Sequence, residues 1–373
     1  MKYLLLPENK KDIGPIIQSA IDSANGEMIV IPSGNFVLKS QIVIRNGVTL
    51  KGEGWKFDPS TFKIYGTVIS VEYGKGSVED KNNAAILMES ATRIEGISFL
   101  YNDQLETLSE PIEYGPTIKF YQDTNGIGED NPQPYHTCEI RDMFFYKSYC
   151  AIDARGSSSR ANGYSQIATC RYENILMSTI KYGIRIDTMN DWNFLNKIEQ
   201  QPGHIGHYVE LGGSLRDWIQ KNCTVFEFSG LIDWIKLTDC TAWACNIGVH
   251  AFDGSGPVSL IGCELDACKY PIYVEGNSKV LNIKVVGCTF TAFDTLERYK
   301  NGPNQYSGYV FTLKDKSVIG SISFSNCYLF GPSEGWIKGN PEIGLITGCV
   351  GKTPTENTET KRKSLFRKIL DLF

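Results

Sequence analysis

The apolar residues near the start of the chain follow the period of an α-helix. They recur at i, i+3, i+4, i+7 and i+8 from Ile13, which predicts one amphipathic helix over residues 13–24. Asp12 is suited to the N-cap, and Asn25-Gly26 is typical of a helix end. From Met28 to Gly54 the pattern changes to short apolar runs separated by turn residues. The sequence therefore predicts one helix followed by closely spaced short strands, which is not the pattern of a doubly wound α/β sheet.

A short motif recurs along the second half of the chain. A Gly, Asn or Asp followed by Cys occurs at Asp239-Cys240, Gly262-Cys263, Gly287-Cys288, Asn326-Cys327 and Gly348-Cys349, at spacings of 23, 25, 39 and 22 residues. Less regular copies contain Gly96, Asp142 and Asn174. A repeat of this length indicates a solenoid in which each coil buries its apolar face against the next. We expect these cysteines to be buried, unpaired and in equivalent positions of successive coils.

The repeats and the tail divide the chain into two parts. Residues 1–352 are predicted to form one solenoid that is nearly free of helix between residues 28 and 352. Residues 353–373 are predicted to be a polar linker followed by a basic amphipathic helix that begins near Lys361. Three roles are open for this helix: a cap on the last coil, a docking segment for a partner or virion component, or a membrane-surface helix.

Composition and charge exclude several classes of function. The chain has 373 residues, 12% aromatic residues and a net charge of −5, which excludes a surface built to neutralise nucleic-acid phosphates. No apolar run reaches the ~18 residues of a membrane span, and the apolar stretch at residues 3–6 is too short for a signal peptide. We expect synthesis in a host cytoplasm, followed by assembly into a virion or by secretion after processing. The 11 cysteines include no CxxC motif, and no metal or other cofactor is predicted.

The first 54 residues resemble a known superfamily. The series Ile17-x-x-Ala20-Ile21, Ile29-x-Ile31-Pro32-x-Gly34-x-Phe36 and Val48-x-Leu50-x-Gly52-x-Gly54 is similar to the start of the pectate-lyase-like right-handed parallel β-helix. The resemblance implies an all-β, single-stranded β-helix with three sheets and an N-terminal capping helix. It does not fix a reaction, because this superfamily contains lyases, hydrolases, epimerases and non-catalytic adhesins.

A second resemblance covers about 70 residues in the middle of the chain. The elements are Ile198 to Gly203, Trp218-Ile219, Gly230 to Trp234 and Gly248-Val249, and they are similar to segments of phage tailspikes and appendage proteins. That resemblance implies a host-surface polysaccharide or cell-wall glycan as ligand. It also implies a homotrimer, and the basic C-terminal helix could then contact a virion partner.

The same region carries the residue types that bind and cleave sugars. Sugar rings stack on aromatic side chains, and glycoside cleavage needs two carboxylates. The candidate catalytic residues are Asp187, Asp191 and Glu199. The candidate substrate-binding residues are Arg185, Trp192, His204, Trp218, Asp233, Trp234 and Trp243. We expect the three carboxylates to line one flank groove together with Trp192, His204, Trp218 and Trp234.

Three functions remain open from the sequence. The first is a tailspike-like depolymerase of the glycoside hydrolase or lyase type, and the second is a non-catalytic adhesin or structural virion protein. The third is a bacterial polysaccharide lyase or epimerase. The chain departs from the polygalacturonase branch because it contains no Asp-Asp pair. Two carboxylates about 5–10 Å apart in an open aromatic groove would favour the hydrolase.

Overall fold

The computed structural model describes most of the chain. The described residues are 1–7, 11–76, 83–120, 137–155, 168–189, 191–205, 214–276, 280–293, 308–314, 321–331, 333–341 and 343–351. Their helices are α1 (Gly14–Asp22) and α2 (Ser214–Asn222), with a 3-10 turn at Pro202–Ile205. The strands are β1 (Lys2–Tyr3), β2 (Met28–Ile31), β3 (Gly34–Leu38), β4 (Ile42–Ile44), β5 (Thr49–Gly52), β6 (Trp55–Asp58), β7 (Lys63–Val71), β8 (Ile86–Met88), β9 (Arg93–Glu95), β10 (Ser98–Leu100), β11 (Ile118–Phe120), β12 (Glu139–Tyr146), β13 (Cys150–Arg155), β14 (Arg171–Ser178), β15 (Tyr182–Met189), β16 (Asn193–Gln200), β17 (Thr224–Ile232), β18 (Ile235–Thr238), β19 (Thr241–Trp243), β20 (Ile247–Ile261), β21 (Glu264–Cys268), β22 (Tyr270–Glu275), β23 (Val280–Val286), β24 (Thr289–Ala292), β25 (Tyr309–Leu313), β26 (Ser321–Ser325), β27 (Tyr328–Leu329), β28 (Gly335–Lys338) and β29 (Gly344–Thr347).

The strands form three parallel sheets that run along the solenoid. Successive strands of one coil enter different sheets, and each strand pairs in parallel with its equivalent in the next coil. Among the described strands, the β6–β7 hairpin is the one antiparallel pair. The first sheet contains β2, β5, β9, the first parts of β12, β14 and β16, then β18, the end of β20, β23, β26 and β29. The second sheet contains β3, β7, β10, the ends of β12, β14 and β16, then β19, β21, β24 and β27. The third sheet contains β4, β8, β11, β13, β15, β17, the start of β20, β22, β25 and β28. The protein is therefore an all-β parallel β-helix, as the sequence predicts.

In each coil from β9 onward, a sharp corner joins the first sheet to the second. The corner residue adopts a left-handed backbone conformation, which Gly, Asn and Asp tolerate best. This preference explains the Gly/Asn/Asp-Cys repeat. The structure also has a corner at Lys197 (φ 53°), which does not match the sequence pattern of the repeat. The corner residues, with φ from 51° to 71°, are Gly96, Asp142, Asn174, Lys197, Asp239, Gly262, Gly287, Asn326 and Gly348.

The residue after each corner points into the core. Cys240, Cys263, Cys288 and Cys327 are buried in successive coils, and Cys349 in the last coil is half-buried. All 11 cysteines are unpaired and ten of them are buried, so the prediction of a buried, unpaired stack is confirmed except for the burial of Cys349. Their thiols lie near backbone carbonyls, as in the 3.4 Å contact from Sγ of Cys288 to the carbonyl oxygen of Val286. A small apolar side chain suits a column whose coils lie close together.

Helix α1 covers the first coil, as predicted, but its start differs. Ile13 is the N-cap, and the carboxylate of Asp12 instead accepts hydrogen bonds from the backbone N–H groups of Gly14 (3.0 Å) and Lys39 (2.9 Å). Gln18 bonds both backbone groups of Val43 on β4, at 2.7 and 3.2 Å. The helix thus satisfies backbone groups at the open edge of the first coil.

Between residues 28 and 352 the described part of the chain is nearly free of helix, as expected, and α2 is the exception. Helix α2 lies between the second-sheet end of β16 and the start of β17, and it buries Leu215 and Ile219 on one face. Two apolar positions at i and i+4 are too weak a pattern to predict so short a helix. The predicted linker and helix at residues 353–373 lie outside the described residues. No helix in the described part of the chain is long and apolar enough to cross a membrane.

The corner conformation predicts unequal effects of two substitutions at Gly287. A Cβ at Gly287 meets no atom within 4 Å, so its φ of 63° alone determines the outcome. Gly287→Ala should lower the free energy of unfolding by about 1–2 kcal/mol, because alanine disfavours this conformation. Gly287→Asn should cost less, since Asn174 and Asn326 occupy equivalent corners. Urea unfolding of both variants tests this, and equal losses would contradict it.

Candidate active site

The sequence predicts one flank groove that holds seven of the ten candidate residues, and the structure does not bring those seven together. The solenoid distributes the ten candidates over two sheets, three turns and one helix, because neighbouring segments of a coil face different directions. Glu199, His204 and Trp243 lie on the side of the second sheet. The third sheet carries Arg185 and Asp187. The turns between the third and first sheets contain Asp191, Trp192, Asp233 and Trp234. Helix α2 carries Trp218.

On the second sheet, two carboxylates occupy one outward column. Glu199 pairs in register with Thr241, and Thr241 pairs with Glu264 in the following coil. Neighbouring strands are about 4.8 Å apart, so the two glutamate backbones are separated by about 9–10 Å. The half-buried Thr241 lies between them, and both glutamates are exposed. The column therefore holds two acidic side chains on one face with a short side chain between them.

The surroundings of Glu199 favour its protonated form. Partial desolvation raises the pKa of Glu199, a hydrogen bond from Gln201 opposes the rise, and repulsion from Glu264 adds to it. A carboxyl group with a raised pKa is suited to act as a general acid when a second carboxyl group lies nearby to act as the base.

Trp243 lies beside this column in the adjacent outward position. It is half-buried and pairs in register with Asp266, and the guanidinium of Arg216 lies 5.9 Å from its ring. A Cβ added to Gly203 would lie 3.0 Å from the Trp243 ring, so only glycine fits against it without a shift. The face thus combines an aromatic ring with acidic side chains.

His204 packs instead of facing an open groove. Its ring lies 4.5 Å from the ring of Phe57 and 6.4 Å from that of Phe144. Burial lowers the pKa of His204 to about 4, so the imidazole is neutral at pH 7. Trp218 also packs inward, with its ring 6.4 Å from that of Tyr149. The surroundings of these two residues are those of packing side chains.

The turns between the third and first sheets bring four candidate residues together. The dipeptides Asp191-Trp192 and Asp233-Trp234 are equivalent in successive coils, because Asn193 pairs with Ile235. The two tryptophan rings stack with centroids 5.4 Å apart and planes 7° apart, and they are 53% and 52% exposed. Asp191 (φ 57°) and Trp234 (φ 156°) have unfavourable backbone conformations, a feature that is enriched at functional sites.

The third sheet carries a ladder of ion pairs around Arg185. Nε and Nη2 of Arg185 both lie 2.6 Å from Oε1 of Glu227, and His250 lies between Glu227 (3.7 Å) and Glu275 (3.2 Å). Burial would raise the pKa of Glu227, but His250 and Arg185 outweigh it and the pKa is lowered. The pKa of Glu275 is also lowered, since Lys314 and His250 outweigh burial. These paired carboxylates are ionised and are therefore poor proton donors.

Asp187 occupies the next outward column of this sheet. It pairs in register with Arg155 on one side and with Ser229 on the other. Arg155 in turn bonds Asp153 with Nε and Nη2, both at 2.8 Å. Asp187 therefore adjoins an ion-pair network and lies on a different sheet from Glu199.

The sequence interpretation missed Glu264, Glu227 and His250 as members of these clusters. For Glu264 a signal exists: it stands two residues after corner Gly262, as Glu199 stands two residues after corner Lys197. Lys197 does not match the Gly/Asn/Asp pattern, so its copy of the repeat went unrecognised. Among the described residues, no group of three or more His, Cys, Asp or Glu is arranged to hold a metal ion.

Comparison with known proteins gives likeness in structure only. No family model and no curated protein matches this sequence. The tailspike gp49 of Acinetobacter baumannii bacteriophage Fri1, a capsular polysaccharide depolymerase, is 11% identical (97% of this chain, 64% of that chain, TM-score 0.44). A DFA-IIIase from Arthrobacter chlorophenolicus A6 is 12% identical (98% and 88%, TM-score 0.48). The mannuronan C-5 epimerase AlgE4 A-module of Azotobacter vinelandii is 11% identical (91% and 97%, TM-score 0.43).

These proteins carry different activities. The parallel β-helix fold that the resemblance implies is shown by the strand pairing of this chain. The function of this chain must be argued from its own side chains.

The acidic column predicts a measurable coupling. Glu264→Gln should lower the pKa of Glu199, because it removes a negative charge that disfavours the ionised form. Titration of the side-chain carboxyl groups by 13C NMR measures this shift. Glu173→Gln, on the first sheet, is the control and should leave the pKa of Glu199 unchanged. A Glu199 titration that is the same in wild type and Glu264→Gln would contradict the coupling.

Proposed function

We propose that this protein binds a polysaccharide across its second sheet and hydrolyses a glycosidic bond there. The observation that carries the proposal is the register of Glu199 and Glu264 in one outward column, two coils apart and beside Trp243. Inverting glycoside hydrolases hold their two carboxyl groups about 6.5–9.5 Å apart. A backbone separation of about 9–10 Å between side chains that leave the sheet in the same direction is compatible with that range.

The proposed roles follow from the raised pKa of Glu199. Glu199, whose pKa is raised, donates its proton to the glycosidic oxygen as the bond to the leaving sugar breaks. Glu264 accepts a proton from a water molecule that attacks the anomeric carbon from the opposite face. Trp243 supplies a ring on which a sugar can stack. No other reactant is needed, since water supplies the hydroxyl group of the product.

A tailspike-like role is part of the proposal. Host-surface polysaccharide is the proposed substrate, and attachment to a virion through residues 353–373 would deliver the protein to that surface. The A. baumannii phage protein named above is a capsular polysaccharide depolymerase. A lyase or epimerase reaction fits this acid and base pair less well, since neither glutamate is paired with an arginine among the described contacts.

One observation favours a second candidate function, a non-catalytic adhesin. The stacked pair Trp192 and Trp234 is exposed on another part of the solenoid and is flanked by Asp191 and Asp233. Aromatic rings of this kind bind sugars without any acid–base pair. In this function the second-sheet glutamates would be surface charges, and polysaccharide would be bound but not shortened.

Cleavage assays separate these functions. With capsule or wall polymer of the host, the wild type should release oligosaccharides, and Glu199→Gln should reduce the rate by about 10²-fold or more, because it removes the general acid. Asp191→Asn tests the catalytic role predicted for Asp191 from the sequence, and in the present proposal it should retain cleavage. Glu173→Gln is the matched control for folding and charge. Full activity in Glu199→Gln would contradict the proposal, and bound but intact polymer would support the adhesin.

We also propose that the chain forms a homotrimer. Exposed aromatic residues lie along the solenoid, from Trp192 and Trp234 to Tyr328 and Phe330 near the last coil. Three copies in a closed cyclic arrangement would multiply weak glycan contacts through avidity. Light scattering of the full chain at micromolar concentration should give about three times 41.6 kDa. A mass near 41.6 kDa would show a monomer instead.

A further inference from the structure

A groove lies between the β6–β7 hairpin and the outer face of the second sheet. It has a volume of about 210 Å³ and is open to solvent on one side. It is separate from the Glu199–Glu264 pair, since the column runs from Asn35 and Val68 through Ser98, Phe144 and Leu176 before it reaches Glu199. The groove is lined by Asn35, Phe62, Ile64, Val68, Leu100, Tyr101, Asn102, Tyr146 and Lys147.

The hairpin that forms one wall of the groove is held in place by contacts with the second sheet. The hairpin is anchored by Trp55, whose ring stacks on Phe144 at 5.2 Å and whose Nε1 donates to the carbonyl oxygen of Asp142 at 2.6 Å. Phe57 adds a second ring contact to Phe144, at 5.3 Å. With the hairpin held in this way, Phe62 and Ile64 form a wall over the sheet.

One cation lies at the edge of the groove. The side chain of Lys147 is only 12% exposed, and its Nζ lies 5.2 Å from the centre of the Tyr146 ring. Among the described residues, the carboxylate within ion-pair distance of Nζ is Glu106, at 3.7 Å, and Glu106 is 48% exposed. Burial lowers the pKa of Lys147, and Glu106 offsets this only in part. The ammonium group therefore gains from a second anion, and a loose, solvent-exposed pair competes weakly for it.

The other groups of the groove are those that recognise a sugar. The half-buried Phe62 offers an apolar ring, and the side-chain amides of Asn35 and Asn102 can both donate and accept hydrogen bonds. The amide of Asn102 is held in place by a 3.0 Å hydrogen bond from its Nδ2 to Oγ of Ser70. Aromatic faces, a few polar groups and one charge define both the shape and the polarity of a ligand.

We propose that this groove binds a carboxylate-bearing sugar unit, a hexuronate. The sugar ring packs against Phe62, its hydroxyl groups bond the amides of Asn35 and Asn102, and its carboxylate pairs with the ammonium of Lys147. Binding requires only the groove, so it does not depend on cleavage at Glu199. If the proposed hydrolysis also holds, this site makes acidic polysaccharides the substrate class.

The test compares two probes that differ only in the carboxylate, D-glucuronate and D-glucose. Titration of the full chain, followed by protein NMR shifts, should show glucuronate binding at least about 10-fold more tightly than glucose, because a charge-assisted hydrogen bond is lost with glucose. Lys147→Met should reduce glucuronate affinity to the level of glucose while keeping the apolar stem. Lys181→Met is the control, since Lys181 also lies over tyrosine rings but outside the groove.

A second variant keeps the proposal falsifiable if Lys147→Met fails to fold. Asn102→Asp places a negative charge at the groove and should weaken glucuronate binding more than it weakens glucose binding, because only glucuronate carries a carboxylate that this charge repels. Equal affinities for the two sugars, no binding of either, or undiminished glucuronate binding in both variants would overturn the proposal. The Glu199→Gln variant should still bind glucuronate, so loss of hydrolysis and loss of this site are distinguishable.

Discussion

The parallel hydrogen bonding between successive coils is the constraint on which this structure depends. It places equivalent residues of neighbouring coils about 4.8 Å apart, so that any side chain has a fixed neighbour before and after it. The left-handed corner between the first and second sheets keeps this register, since every described copy turns at the same position. The number of residues between a side chain and the corner of its coil therefore determines on which sheet that side chain lies. The same number determines whether it points into the core or outward.

In such a solenoid, a functional site is formed by outward-facing side chains at equivalent positions of successive coils. Glu199 and Glu264 are 65 positions apart in the numbering, and they face the same side because each stands two residues after a corner. By contrast, Asp187 and Glu199 are only 12 positions apart, and they lie on different sheets. Closeness along the chain is therefore a poor guide to a shared site in this fold, whereas equal phase within the repeat is a good one.

The three outer faces differ in what their charges can do. On the third sheet, arginine, lysine and histidine pair with the carboxylates and keep Glu227 and Glu275 ionised. On the second sheet, Glu199 has a like charge nearby and a raised pKa. The same residue type thus serves as a structural ion-pair member on one face and as a candidate proton donor on another, and the neighbouring coil decides which.

The sequence by itself determined the solenoid, the capping helix near residues 13–24 and the reduced cysteine core. These features depend on local periods and on the Gly/Asn/Asp corner, which are visible in single coils. It also identified Glu199, Trp192 and Trp234 as residues of interest. Only the tertiary structure decided which residues meet, because that depends on the register across coils of unequal length. The corner at Lys197, helix α2 and the shared column of Glu199 and Glu264 depend on coil-to-coil packing, for which the chain carries only weak local signals.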